Sequence, residues 1–258
     1  MPQNIYDDLD HLYREIWGTS LHHGLWIEGN EPPSLARENL VKLALSLLQP
    51  KGTIADIGCG YGILAHRLIR EFDCKVIANT SSQVQQQRIE PHPSLTVLGG
   101  DWLHLDLPKD SLDGAIAIES FSHFPSFGAG LDKTINALKP GARLLIADWF
   151  SETGHHPLLR HLAKSGALPI WRSLDSLKSA TTAQGFRVRE AINLSSGAAP
   201  TWSHLFRAAL GVLLGKPRLL PLFFSQLLRK PSLLWIFPLL RLAYETGDLE
   251  YHILLIEK

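Results

Sequence analysis

The tightest constraint on this 258-residue chain is the stretch Ile54-Ala55-Asp56-Ile57-Gly58-Cys59-Gly60-Tyr61-Gly62, a short apolar strand that runs through an acid into three glycines spaced G-x-G-x-G. Glycine lacks a Cβ and reaches backbone angles closed to other residues, so such a turn bends sharply and leaves its main chain bare. The turn is therefore read as a floor for a ligand. The helix expected next, roughly Ile63 to Glu71, offers unpaired N-terminal N–H groups to a carboxylate or other electron-rich group. Asp56, at the strand's end, favours a ligand with positive charge.

Further along, apolar segments at 74–78, 95–102, 113–120 and 142–149 are separated by helix-prone stretches such as 79–89. Strands rich in Val, Ile and Ala that alternate with helices predict a parallel α/β sheet covered on both faces. The first five strands are expected within residues 53–148, and a last one at 250–256. Upstream, Pro32-Pro33-Ser34 opens a helix with Leu35, Leu40, Val41, Leu43, Leu47 and Leu48 on a broad apolar face, closed by Gln49-Pro50. In sheets of this kind, ligands lie beyond the carboxyl ends of the strands where strand order reverses.

A dinucleotide fingerprint places an anionic pyrophosphate over G-x-G-x-x-G, with an acid about 20 positions later for the ribose. Here the third glycine comes one residue early, and Asp56 would repel a pyrophosphate. The stretch instead resembles motif I of the class I S-adenosylmethionine-dependent methyltransferases, whose cofactor brings an amino acid end and a sulfonium. A tight turn without a ligand is the plain alternative for the glycines taken alone. The resemblance implies a Rossmann-like seven-stranded sheet with its last strand antiparallel, and it implies that Asp56, Gly58, Gly60 and Gly62 hold the methionine part. Leu138-Lys139-Pro140-Gly141 is similar to the turn before the fifth strand of these enzymes.

No acid closes the second strand. Asn79-Thr80-Ser81-Ser82, leading to Gln85, is similar to the T-x-S-x-x-Q pattern of tocopherol methyltransferases, cyclopropane fatty acid synthases and sterol methyltransferases. By that likeness Thr80 and Gln85 contact the ribose, hydroxyl and amide replacing a carboxylate; the alternative is a helix cap built from Thr80 to Ser82. Asp101 and Trp102 look like the adenine site, the carboxylate accepting from the exocyclic amine and the indole stacking or packing.

The N-terminal residues 5–29 resemble the Tyr-Asp … Trp-Gly … His-x-Gly stretch that precedes the core in the sterol and tocopherol group. Tyr6, Tyr13, Trp17 and Trp26 offer large apolar bodies with polar handles, suited to a lid that contacts cofactor and acceptor or to a helix packed on the sheet. Tyr6 and Trp17 are the expected cofactor contacts, and His22 and His23 can titrate near neutral pH. Ala117-Ile118-Glu119-Ser120-Phe121-Ser122-His123-Phe124-Pro125 is similar to the Ile-Glu-x-x-x-His-x-Pro segment of sterol methyltransferases, whose loop faces the transferring methyl. Glu119 and His123, with His22 or His23, become the expected acid–base groups. One departure matters: tocopherol methyltransferases and cyclopropane synthases carry Glu where this chain has Ser122, which argues against a bicarbonate-assisted cyclopropanation.

Residues 203–243 are strongly apolar but broken by Lys216-Pro217-Arg218, Pro221, Arg229-Lys230-Pro231 and Pro238. No uninterrupted apolar run reaches the roughly 20 residues that span a bilayer. Short amphipathic helices inserted before the last strand are expected, as a pocket lid, a homodimer face or a peripheral membrane contact. The chain is read as one domain: N-terminal cap helices over 1–50, a cofactor-binding core over 51–193, a helical lid insertion over 194–247 and the final strand over 248–258.

With 25 basic against 25 acidic residues the chain has no electrostatic footprint for nucleic acid. Two cysteines, Cys59 and Cys74, provide no disulfide framework, no metal site is evident, and Cys59 is read as packing. The first residues show no basic and apolar leader, so a cytoplasmic protein, with membrane-surface association through the helical insertion, is expected. Together these readings point to S-adenosylmethionine-dependent methylation, at carbon before oxygen or nitrogen, of a small lipophilic acceptor: a prenyl, sterol-like, quinol or polyketide compound. The rivals are a non-catalytic partner subunit with the same fold and a nicotinamide oxidoreductase, which should show a hydride-transfer set such as Tyr-x-x-x-Lys.

Overall fold

The computed structural model describes residues 10–151, 172–215 and 236–258, apart from the side chains of residues 11–13. A short helix α1 (Asp10–Ile16) and a longer α2 (Pro33–Leu48) precede the sheet. Then follow β1 (Thr53–Ile57), α3 (Ile63–Phe72), β2 (Lys75–Thr80), α4 (Gln83–Arg88), β3 (Leu95–Gly99), β4 (Leu112–Ile118), α5 (Phe127–Ala137) and β5 (Leu138–Phe150). The remainder is α6 (Leu174–Ala183), β6 (Arg187–Asn193), α7 (Ser195–Ala198), α8 (Pro200–Gly215), α9 (Ile236–Thr246) and β7 (Glu250–Glu257).

The seven strands lie in the order β3-β2-β1-β4-β5-β7-β6, with β1 to β5 parallel and β7 antiparallel to both its neighbours. Side chains alternate across each strand, and two cores result. Ile54, Ile116 and Leu145 pack with α2, α3, α8 and α9 on one face, while Ala55, Ala115, Leu144 and Ile146 pack with α5 and α6 on the other. The sequence reverses direction between β1 and β4, so the cleft at their carboxyl ends is the natural ligand position.

Element boundaries differ from the sequence reading in three informative places. β2 runs on to Thr80 because Asn79 and Thr80 pair with Leu98 and Gly99 of β3, and Asn79 Nδ2 donates to the Leu98 and Gly100 carbonyls at 3.0 Å each. β4 stops at Ile118, since Glu119 turns into the left-handed region at φ 56°. β5 starts at Leu138, which pairs with Leu112, so the expected turn forms its first residues.

Helices α8 and α9 occupy the stretch between β6 and β7, against the same core as α2. No helix among the described residues is long and apolar enough to cross a membrane. Tyr6 and the breaks at 216–218, 221 and 229–231 lie outside the described residues, as does the Tyr13 side chain; Pro238 falls inside α9.

Candidate functional site at the carboxyl ends of β1 and β4

Gly58, Gly60 and Gly62 all adopt positive φ, at 73°, 55° and 75°. Each conformation is one that side chains resist. At Gly58 the reason is also steric: an added Cβ would sit 2.5 Å from the Cβ of Ser120, whose hydroxyl donates to the Ile57 carbonyl at 2.6 Å. Gly60 has the opposite surroundings, with nothing within 4 Å of a built Cβ. Its bare backbone faces open space, as a ligand floor requires. Gly62 begins α3 without a side-chain cap of its own, and in the first turn Asp56 takes the Ala65 amide.

A cavity of about 380 Å³ opens here, lined by the glycine turn and Asp56, by His22 and Ser20 of the N-terminal segment, and by Arg37 of α2. A larger surface groove between α2 and α3 holds none of the expected site residues. Asp56 is 3% exposed, and its Oδ2 has no hydrogen-bond partner among the described residues. Burial pushes its carboxyl up to about 7, and the Ala65 amide offsets part of this. An orphaned buried carboxylate in a cavity calls for a cation. Burial also raises the Cys59 thiol, with Asp56 adding to it, so this cysteine is not a reactive thiolate.

Arg37, which the sequence reading did not single out, is the matching opposite charge. It is half-buried, desolvation lowers its pKa, and no carboxylate among the described residues pairs with it. One cavity thus carries an uncompensated anion and an uncompensated cation, a complement for the ammonium and carboxylate of an α-amino acid. Those features suit the methionine end of S-adenosylmethionine.

The residues expected around adenosine are placed as follows. Thr80 and Gln85 are buried and bonded to each other, Thr80 Oγ1 donating to Gln85 Oε1 at 2.7 Å. Ser82 caps α4 by accepting from the Gln85 amide at 3.1 Å, so the helix-cap alternative is what the local geometry displays. Asp101 Oδ1 accepts from the Leu103 amide at 3.0 Å, and Oδ2 lies 3.4 Å from His104 Nδ1. Trp102 takes the packing option. It is 1% exposed, donates to Thr134 Oγ1 at 3.0 Å and sits in the core beneath α5, with no face free to stack on a base.

The N-terminal segment is bound to the site at several points. Asp10 accepts from the Tyr61 hydroxyl of the glycine turn at 2.6 Å and from Arg88 at 2.7 Å. Trp17 donates to the His22 carbonyl at 3.3 Å and meets Trp202 edge-on. His22 Nδ1 faces the His23 carbonyl at 2.7 Å, so Nδ1 carries the proton and Nε2 does not; burial lowers the His22 pKa despite the pull of Glu119.

Glu119 and His23, 96 residues apart in sequence, are direct partners. Glu119 Oε1 accepts from the His23 amide at 2.6 Å, from His23 Nδ1 at 2.9 Å and from the Tyr251 hydroxyl of β7 at 3.0 Å. On its far side His23 Nε2 meets the Tyr244 hydroxyl of α9 at 3.2 Å. Trp149, Trp202, Tyr244 and Tyr251 surround the imidazole. Desolvation pushes the Glu119 carboxyl up, but the His23 contacts and His22 outweigh it, and the group is held below the usual glutamate range. The carboxylate is ionised at neutral pH.

His123 reaches solvent at the loop end; crowding by protein atoms lowers its pKa against the opposing charge of Glu119, but it is not among the donors on Oε1. Ser122 serves the fold through its amide, which donates to Asp148 Oδ2 at 2.9 Å. Asp148 is fully buried in β5, and burial raises its carboxyl to about 7. Arg37, Tyr244, Tyr251 and Asp148 were all missed by the sequence reading. No metal-ligating group of three or more His, Cys, Asp or Glu side chains occurs among the described residues.

Comparison with known proteins agrees with this geometry. A family model described as a methyltransferase domain matches residues 31–191. An O-methyltransferase from Pyrenophora dematioidea is 30% identical over 205 residues, which cover 74% of this chain and 76% of that one. A sterol 24-C-methyltransferase from Kluyveromyces lactis is 24% identical over 74% of this chain and 55% of its own length, so the chain spans about half of that longer relative. Among solved structures, mycolic acid cyclopropane synthase CmaA1 complexed with SAH and CTAB superposes with a TM-score of 0.83 over 98% of this chain and 95% of that one, at 18% identity.

Proposed function

We propose, for a chain that belongs to the methyltransferase domain family and uses S-adenosylmethionine as its methyl donor, that the acceptor is a small lipophilic molecule methylated at carbon. The sterol, prenyl, quinol and polyketide classes fit this reading. One observation carries it: an ionised Glu119, one residue beyond the cavity-lining Ile118, bonded to Tyr251 and to a His23 that Trp149, Trp202, Tyr244 and Tyr251 enclose. An aromatic-rich setting suits an apolar acceptor nearby, and one ionised carboxylate in it suits positive charge that develops there.

The donor supplies an electrophilic methyl group on a sulfonium. Asp56 would take its ammonium, which draws the aspartate toward the ionised form that burial resists, and Arg37 its carboxylate. Positioning accounts for much of the acceleration in such an in-line displacement. As the new carbon–carbon bond forms and the carbon–sulfur bond breaks, positive charge passes to the acceptor skeleton, which regains neutrality by losing a proton. A proton beside a carbocation is strongly acidic, so even a carboxylate with a lowered pKa can accept it. Glu119 is assigned that role, with His22 and His123 near enough in charge terms to tune it.

Thr80, Gln85, Asp101 and Trp102 would contribute to the adenosine side through the backbone they fix, with Tyr6 and Trp17 assigned to the cofactor by sequence likeness alone. A cytoplasmic enzyme whose α8–α9 region makes the membrane-surface or homodimer contact belongs to the same reading.

Incubation with methyl-labelled donor and a panel of a sterol, a prenyl diphosphate and a quinol tests the function. Label is expected on a carbon of at least one acceptor. Tight donor binding with no transfer to any of them would favour the non-catalytic partner subunit. A second expectation concerns Arg37→Gln. Loss of a charged hydrogen bond, roughly 1.5–3 kcal/mol, should weaken S-adenosylhomocysteine binding about tenfold or more by calorimetry while the melting temperature stays within about 2 °C. Unchanged affinity would remove Arg37 from the site.

A further inference from the structure

We infer that Tyr251 and His23 are positioning residues that bind one oxygen of Glu119 and leave the other as its acting atom. The inference rests on the carboxylate role given to Glu119 above. Three donors converge on Oε1, which has two lone pairs, whereas Oε2 has no partner among the described residues. Oε2 is not sealed away either, since the Glu119 side chain keeps 9% exposure and Oε2 is not one of the buried orphaned atoms.

Rotation of the carboxylate would exchange the two oxygens. With both equally placed, either could face the reacting carbon and neither would be held. Here the backbone also restrains the group: Glu119 holds φ 56°, an uncommon angle for a residue with a side chain, and its amide donates to the Ala147 carbonyl at 2.7 Å. The side chain is aimed by a strained turn from below and clamped by two elements from the sides.

Tyr251 is the informative partner. It lies 132 residues from Glu119 on a strand whose residues 251–256 are all buried, and its ring is fully buried, 4.8 Å from the His23 ring centre. A phenylalanine would fill the same space. Only the hydroxyl reaches Glu119. His23 is likewise 0% exposed, so no acceptor touches it in this arrangement, and it acts through the carboxylate. The charged or titratable groups facing Glu119 are His22 and His23 from the N-terminal segment, Tyr251 from β7, Tyr244 from α9, Asp148 from β5 and His123 from its own loop.

A hydrogen bond to the ionised form lowers a carboxyl pKa, so removing it raises that pKa. The test is a pH titration of protein carrying 13C-carboxyl glutamate, with the Glu119 resonance assigned by its loss in Glu119→Gln. In Tyr251→Phe the Glu119 midpoint should rise by about one unit, a tenfold gain in proton affinity, while S-adenosylhomocysteine affinity is unchanged. Incorporation of 3-fluorotyrosine, whose hydroxyl is a stronger donor, should move the midpoint the other way and serves if Tyr251→Phe does not fold. An unmoved midpoint in both proteins would overturn the positioning role. That outcome is distinct from failure of the functional reading, in which Glu119→Gln itself transfers label at the unmodified rate.

Discussion

Replacing Asp56 with asparagine should abolish measurable binding of S-adenosylmethionine and, at the same time, stabilise the ligand-free protein at pH 8. The two effects have one cause. In the fold the Asp56 carboxyl titrates at about 7 because it is buried with an orphaned oxygen, whereas the ordinary value for an aspartate is 3.8. Below that ordinary value both folded and unfolded chains hold the proton, and the residue costs nothing. Between about 4 and 7 the unfolded chain ionises and the fold does not, so stability falls as pH rises, and above 7 the full cost remains. Three units correspond to a ceiling of about 4 kcal/mol, and relaxation around the site brings a realistic figure nearer 2 kcal/mol. Urea denaturation of both proteins at pH 4 and pH 8 should show near-equality at the first and a more stable Asp56→Asn at the second. Donor binding needs the charge that the empty fold resists, and the variant cannot supply it. Retained donor affinity in Asp56→Asn would separate the acid from the cofactor.

Glu119→Gln should lower methyl transfer by about 100-fold or more, within the range expected for a lost acid–base group, while donor affinity stays within about threefold. The variant should fold, since the amide oxygen still accepts from the His23 amide, His23 Nδ1 and Tyr251 in place of Oε1. Because His23 holds the carboxyl below its usual range, the unmodified enzyme saturated with donor should keep its rate through neutral pH and lose it only on the acid side, where the carboxylate gains a proton. Full activity of Glu119→Gln, measured with any acceptor that takes label, would contradict the assignment.

Much of this was legible along the chain because it depends on local rules. The glycine spacing and Asp56 mark a strand end and a bare turn whatever else surrounds them, and the alternation of strands and helices predicts a parallel sheet, whose switch point between β1 and β4 only the structure shows. Glu119 and His23 were each legible as titratable groups because their segments resemble those of the sterol and tocopherol group. Their contact was not, because it is made when the N-terminal segment folds back over β4. Tyr251 reads as one more core residue in an apolar strand, since a buried hydroxyl leaves no trace in periodicity. Arg37 reads as a solvated position on an amphipathic helix next to the ion-pairing Glu38, and only the cavity reveals that it has no partner. Trp102 was open to stacking or packing from its position after β3, and the placement of α5 decides for packing.

The turn after β1, with Asp56 below it, is expected to receive a sulfonium amino acid and not a dinucleotide. Calorimetric titration of the unmodified protein with S-adenosylmethionine and, separately, with NAD distinguishes the two ligands. Saturable binding of the methyl donor with no heat from NAD is the expected result, and tight NAD binding with no response to the methyl donor would contradict it.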